Sequence, residues 1–263
     1  MAIFYRNVVV DSVKTGMGGK IGNKGCVAIR LVLHNTSICF ICAHFTAGQN
    51  EYTERNKDYK SIMEKLSFQP PSRALWHDHI FFLGDFNYRL TIPRNQVETL
   101  VRKDAFKDLL EYDQLKKEHT EEHVFREFNE GPVLFPPTYK YDVGSDEYDT
   151  SEKARTPSYT DRILWRSISP NIQTKQLYYG RAEVKTSDHR PVSAMFDVDI
   201  EICNEIKMHE EYVNIYERFQ PSNAQLVYQI PLDTKVRKGQ LIEEFDTYVK
   251  RKYGLNIMIT DRL

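Results

Sequence analysis

Residues 79–90 read HIFFLGDFNYRL, and the organisation of the rest of the chain follows from how this stretch is read. Ile80, Phe81, Phe82 and Leu83 form an apolar run too short for a helix and suited to a strand buried on both faces. Gly84 ends it. In an extended backbone the side chains alternate, so Asp85 and Asn87 are expected on one side of the strand end, with Phe86 turned back toward the core. A carboxylate and an amide presented together have two readings. They can form an Asx turn that closes the strand on nearby backbone, or they can be one part of a polar site.

Composition bounds the second reading. With 263 residues, 41% hydrophobic and 12% aromatic, the chain can bury a full core in one large domain, or one plus a partial second. Its 36 basic and 37 acidic residues give a net charge of -1, which excludes a chain that coats nucleic acid or membrane by bulk charge, so any anion binding is local. The longest apolar run, residues 38–43, falls far short of the roughly 20 that cross a bilayer. The N-terminus also lacks a signal-peptide segment, so a cytosolic protein is expected. Cys39 and Cys42 lie three apart in a strand-like run and face opposite sides, which argues against a metal knuckle or redox pair. All four cysteines are expected to be buried, reduced thiols.

Outward from the central strand, residues 4–14 are β-rich. Residues 15–25, TGMGGKIGNKG, interleave glycines with Lys20, Asn23 and Lys24. Such a loop lets backbone N–H and ammonium groups approach a phosphate, or is simply a flexible hairpin. It is no Walker loop, since neither the following Ser or Thr nor a helix signal is present. Residues 26–33 and 38–45 read as paired strands about a turn, the second with Phe40, Cys42 and His44 on one face and Cys39, Ile41 and Ala43 on the other. His44 emerges at the strand end as either a structural or a catalytic residue. Residues 51–66 read as an amphipathic helix with Tyr52, Tyr59, Ile62, Met63 and Leu66 as a core stripe. Two helices are expected over 93–103 and 104–112, a solvated charged face over 116–122, and loops over 135–155, where Asp142, Asp146, Glu147 and Asp149 form an acidic run. Short strands resume at 162–166, 176–179 and 192–199. Such a mixture argues for a layered α/β sandwich and against a βαβ barrel.

Three polar clusters thus stand at strand ends: Asp85 with Asn87, Asp161 with Arg162, and Asp188 with His189. Hydrolysis of a phosphate ester needs a metal to neutralise non-bridging oxygens, a carboxylate to orient and deprotonate water, and a donor to the developing charge. A histidine held by an aspartate supplies that donor in a fixed tautomer. The chemistry points to metal-assisted hydrolysis without choosing the ester.

The motifs GDFNYR (84–89), PTYKYD (137–142), TPSYTDRILW (156–165) and SDHRPV (187–192), in this order and spacing, resemble the inositol polyphosphate 5-phosphatases. The 15–25 loop with AHF (43–45) and AGQ (47–49) makes the chain most similar to their synaptojanin branch. The resemblance runs from about residue 5 to 200. It implies an α+β fold, the four-layer αββα sandwich of two mixed sheets shared by DNase I-like endonucleases, exonucleases and phosphatases. It also implies a magnesium-dependent phosphatase that removes the 5-phosphate of phosphatidylinositol 4,5-bisphosphate and related inositol phosphates in membrane traffic. Carried over residue by residue, Asp85 is the water-activating carboxylate and Asn87 its partner on the phosphate. His189 contacts the scissile phosphate with Asp161 on its other nitrogen, and His44 lies near the phosphate or leaving oxygen. Asp188 belongs to the Mg2+ shell. Tyr139, Lys140, Lys153 and Arg155 grip the 4-phosphate, and Asn23 and Lys24 meet the 1-phosphate nearest the lipid. The partner implied is a lipid headgroup, with the protein cytoplasmic and peripheral at membranes.

Two departures accompany the resemblance. The family's domain opens with a stretch carrying a metal-binding Asn and Glu, and no such stretch precedes Met1. The chain as it stands is therefore expected to hold metal poorly, to leave apolar surface uncovered on a strand such as 38–43, and to be inactive. Beyond residue 200, AQLVYQIP (224–231), 241–253 and 255–260 read as strand, helix and strand, the opening of an RNA-recognition-motif fold with Tyr228 at a base-stacking position. The expected division is a catalytic domain over 1–202, a linker over 203–222 and a partial RRM-like βαβ segment over 223–263. The competing functions are a nuclease on the same fold and a module that binds phosphoinositide without hydrolysing it. The basic residues gather near Tyr139 and the 15–25 loop and do not line a backbone track, which disfavours nucleic acid.

Overall fold

The computed structural model describes residues 5–19, 22–68, 72–168, 172–202 and 204–218, with 227–228 and 258–259. The chain divides into two units, Met1–Glu201 and Ile202–Leu263. The first opens with β1 (Tyr5–Lys14), the single turn α1 (Gly16–Gly19), β2 (Gly25–Leu33), β3 (Thr36–His44) and α2 (Tyr52–Lys65). The short pair β4 (Ser67–Phe68) and β5 (Ser72–Arg73) leads through a 3-10 turn to β6 (His79–Asp85). Helices α3 (Arg94–Arg102), α4 (Phe106–Leu110) and α5 (Gln114–Thr120) follow, then β7 (Asn129–Glu130), β8 (Asp161–Ser167), β9 (Thr174–Arg181) and β10 (Val192–Val198).

Six of these strands form one mixed sheet in the order β1-β2-β3-β6-β8-β7, parallel between β3 and β6 and antiparallel elsewhere. The 79–85 run lies at its centre because Ile80 and Phe82 pack one face while Phe81 packs the other. On the helical side Phe45, Phe82, Phe86, Phe125 and Phe128 meet Ile62 of α2, Leu66 just past its end and Leu115 of α5. The Phe82 ring lies 5.0 Å from Phe125 and 5.5 Å from Phe86. Each such fully buried phenylalanine stabilises the fold by about 1.5–3 kcal/mol. On the other side the antiparallel pair β9–β10 sets Phe196 against Phe81 at 4.9 Å and Trp165 at 5.2 Å. Helices on one face of a sheet and a second sheet on the other give the layered α+β sandwich expected from the sequence.

Gly84 lets β3 and β6 approach. Its φ is 132°, and a Cβ there would lie 2.1 Å from the Ala43 carbonyl oxygen, so only glycine fits. Asp113 starts α5 by accepting the Lys116 backbone N–H at 2.9 Å.

Several expectations need correction. Cys26 and Cys39 are buried, and burial pushes their thiols up to about 11 and about 12, but Cys42 is exposed because it shares the outward face of β3 with Phe40 and His44. Tyr52 is also exposed and lies outside the core stripe. The charged 116–122 stretch is not uniformly solvated: Glu118 is buried and accepts from Asn56 and bonds His123. The apolar surface expected to lie uncovered on a strand such as 38–43 is found on one face of β1–β3, where Val8, Val10, Val27, Ile29 and Phe40 are exposed, although Ile38, Ile41 and Ala43 of that strand are buried.

In the second unit, residues 203–222, expected as linker, carry helix α6 (Glu205–Arg218). Strands β11 (Val227–Tyr228) and β12 (Met258–Ile259) pair in parallel. The expected helix over 241–253 and the rest of the RRM-like segment lie outside the described residues.

Candidate active site

The strand register puts the polar groups in a row. Gly25 pairs with His44 across β2 and β3, His44 with Asp85 across β3 and β6, and Asp85 with Asp161 across β6 and β8. The parallel strands β3 and β6 end at this edge and the antiparallel β2 and β8 begin there. Residues far apart in sequence therefore share one rim of the sheet.

Asp85 and Asn87 do meet, though not by strand alternation. The strand stops at Asp85 and Asn87 has a φ of 57°, the left-handed conformation that asparagine tolerates. The Asn87 N–H donates to Asp85 Oδ1 at 3.0 Å, which is the Asx turn. Its side-chain nitrogen donates to Asp85 Oδ2 at 3.2 Å and to the Phe45 carbonyl at 3.0 Å. Turn and polar pair are thus the same structure. His44 Nε2 lies 3.2 Å from Asp85 Oδ2 and 3.1 Å from Lys24 Nζ. In one protonation state that nitrogen either accepts from Lys24 or donates to Asp85.

Asp161 is held by three groups. Thr138 and Thr160 hydroxyls donate to its Oδ2 at 2.6 and 2.9 Å, and His189 Nδ1 lies 2.9 Å from the same oxygen. Burial works against the imidazolium of His189, yet the hydrogen bond and charge of Asp161, followed by the charges of Asp85 and Asp188, outweigh it and raise the His189 pKa. The Tyr139 ring lies 4.6 Å from the His189 ring. Tyr139 also bridges by backbone to both Ser158 and His189, so three of the sequence motifs interlock at one residue.

The basic groups are only partly assembled. Asp149 is buried and draws two of them together: Lys140 Nζ lies 3.8 Å from its Oδ1, and the Arg155 backbone N–H donates to its Oδ2 at 3.0 Å. Burial opposes ionisation of Asp149, but hydrogen bonds from Ser151 and the Arg155 backbone and the charge of Lys140 hold its carboxyl at about 2. Asn23 and Lys153 are exposed. Asp188 receives the Ser187 hydroxyl at 3.4 Å and has no basic side chain within ion-pair distance among the described residues. Its charge and that of Asp85 both act on the His189 imidazole, and both carboxylates are hard oxygen donors.

Arg162 does not belong to this rim. Following Asp161 in an extended strand, it points to the opposite face, fully buried, where its Nε bonds Glu130 at 2.6 Å and its Nη1 bonds Asp113 at 2.8 Å. Sequence reasoning missed Thr138, Thr160, Asp149 and Arg89. The threonines and Arg89 stood inside quoted motifs, and only their contacts separate them from their neighbours.

The profile of the endonuclease/exonuclease/phosphatase family 2 matches residues 3–195. Human synaptojanin-1 is 49% identical over 242 residues, covering 82% of this chain and 15% of its own length. The mouse type II inositol 1,4,5-trisphosphate 5-phosphatase is 43% identical over 232 residues, covering 84% of this chain and 23% of its own length. The chain thus spans less than a quarter of either relative. Among solved structures, the inositol polyphosphate 5-phosphatase domain of SPsynaptojanin, in complex with inositol (1,4)-bisphosphate and a calcium ion, superposes with a TM-score of 0.75 at 34% identity, covering 92% of this chain and 64% of that one.

Proposed function

Because the chain belongs to the endonuclease/exonuclease/phosphatase family 2, with the DNase I-like fold, and is a homologue of the synaptojanin inositol polyphosphate 5-phosphatase domains, we propose that its protein hydrolyses the 5-phosphate of phosphatidylinositol 4,5-bisphosphate and related inositol phosphates. The observation that carries the reading is the row His44, Asp85 and Asp161 on one sheet rim, with His189 bonded to Asp161. In this reading Asp85 accepts the proton of the attacking water while Asn87, bonded to it, orients the phosphate. His189, whose pKa Asp161 raises, donates to the phosphate oxygens as charge develops. His44 stands by the leaving oxygen. Lys24 and Asn23 meet the 1-phosphate, and Tyr139, Lys140, Lys153 and Arg155 the 4-phosphate. Asp188 would belong to the residues that hold Mg2+. When bound, the ion supplies the positive charge that neutralises non-bridging oxygens.

No helix among the described residues is long and apolar enough to cross a membrane. A cytoplasmic protein acting peripherally on lipid headgroups, in membrane traffic such as endocytosis, is consistent with that and with the synaptojanin relatives. The test uses the full-length protein on vesicles containing the lipid and on soluble inositol 1,4,5-trisphosphate. Phosphate release from the 5-position that stops with a chelator is expected. Release from the 4-position, release that persists with chelator, or tight binding without release would overturn the reading.

A further inference from the structure

Arg89 is a buried cation without a buried anion. It is 3% exposed, and among the described residues no carboxylate lies within ion-pair distance of it. A buried charge is costly unless it is compensated, so its placement needs an account. Its Nη2 donates to Asn87 Oδ1 at 2.6 Å and its Nε to the Asn87 backbone carbonyl at 3.0 Å. Its guanidinium carbon lies over the Tyr139 ring, 4.6 Å from the centroid, and the Tyr139 ring centroid lies 4.6 Å from that of His189. Its own backbone is pinned at both groups, N–H to Gln114 Oε1 at 2.9 Å and carbonyl from the Gln114 N–H at 3.0 Å. That glutamine is in turn held by the buried Arg55 at 2.6 Å.

We propose that Arg89 is the positioning residue that sets the Asn87 amide and joins the two halves of the site. An amide can be turned either way. With Arg89 on the oxygen and the Phe45 carbonyl on the nitrogen, the nitrogen is the end that faces Asp85, so the amide donates to Asp85 and does not repel it, and Arg89 is the one side chain that holds the oxygen end among the described residues. The same guanidinium makes a cation–π contact that seats Tyr139 against His189. One rigid, planar side chain thereby fixes the water-activating carboxylate relative to the phosphate-binding imidazole. Lysine has neither the fork nor the flat face. The role rests on the function proposed above, and the test separates the two.

In full-length protein, Arg89→Gln and Arg89→Lys are each expected to lower kcat about tenfold to a hundredfold, the scale of a misplaced reacting group, while KM for soluble inositol 1,4,5-trisphosphate changes less than about threefold. In an Asn87→Ala background, Arg89→Gln should cost several-fold less than it does alone, because one of the two groups through which it acts is gone and only the Tyr139 contact remains. An independent readout is the Asn87 side-chain amide in the 15N NMR spectrum, identified by its loss in Asn87→Asp. It should be dispersed and slow to exchange in the wild type, and collapse toward free-amide positions in Arg89→Gln. An inactive wild type would refute the proposed function and leave the NMR comparison to decide the positioning role. Costs that multiply in the double variant, an Asn87 amide unmoved by Arg89→Gln, or full activity in Arg89→Lys would each overturn the proposal. So would failure of both Arg89 variants to fold, which would make the residue a structural one.

Discussion

Asp161→Asn keeps the shape of the His189 half of the site and removes its charge. The asparagine can still accept from Thr138 and Thr160 through Oδ1, so the loop geometry is retained. What is lost is a charge-assisted hydrogen bond at 2.9 Å to His189 Nδ1. Such bonds contribute about 1.5–3 kcal/mol. The His189 and Asp161 side chains are 27% and 20% exposed, so solvent screening favours the lower figure. Without Asp161, burial acts against the imidazolium with only the charges of Asp85 and Asp188 opposing it. The His189 pKa, followed by the ring C2–H resonance in metal-free protein, is therefore expected to fall. Because the wild-type value is raised above that of the unfolded chain, its stabilisation is fully present below about pH 6.5 and is lost as pH rises through the folded value. The difference in unfolding free energy between wild type and variant should accordingly be largest in mildly acidic buffer and shrink with rising pH. Turnover should fall by about 10² to 10⁴. A histidine that titrates unchanged, or a stability gap that widens as pH rises, would refute the assignment of Asp161 as the partner that keeps His189 charged.

In the full-length protein with magnesium, Asp85→Asn and His189→Ala should each cut turnover by at least about a hundredfold, a loss far larger than any shift in melting temperature accounts for; near-normal kcat in either variant removes that residue from the chemistry. Lys140→Ala should raise KM for substrates bearing a 4-phosphate and spare those without one, so an equal effect on both shows that Lys140 does not read that group. Gly84→Ala should destabilise the sheet by more than about 1–3 kcal/mol, because the new methyl meets the Ala43 carbonyl at 2.1 Å in a backbone conformation that disfavours it; an unchanged thermal melt would show that β3 and β6 separate more easily than their register implies.

The sheet and its strand ends were legible because alternation is local. The apolar 80–83 run and the outward placement of Phe40 and His44 needed only the two-residue period of a strand. That same period, applied to Asp161 and Arg162, would have separated them: neighbours in a strand point to opposite faces, so they could not both belong to one rim. Cys42 is the parallel case, since placing it on the His44 face already implied that it faces out. These corrections were in principle available from the sequence.

Other parts of the site were not, because they depend on contacts between residues distant along the chain. Asn87 meets Asp85 through a left-handed turn whose outcome resembles strand alternation but whose cause is different. Nothing in GDFNYR says that its arginine turns inward onto the asparagine two positions back and onto a tyrosine fifty residues on. Asp149 looked like one member of an acidic run, yet it alone of the run clamps Lys140 and Arg155, while Asp142 caps Thr150 and Asp146 pairs with Lys185. Like charges adjacent in sequence acquire different roles once the loop has folded, because each finds a different nearest donor. A residue type at a motif position therefore identifies the chemistry available, and the assignment of a role waits on which buried donor or ring it meets.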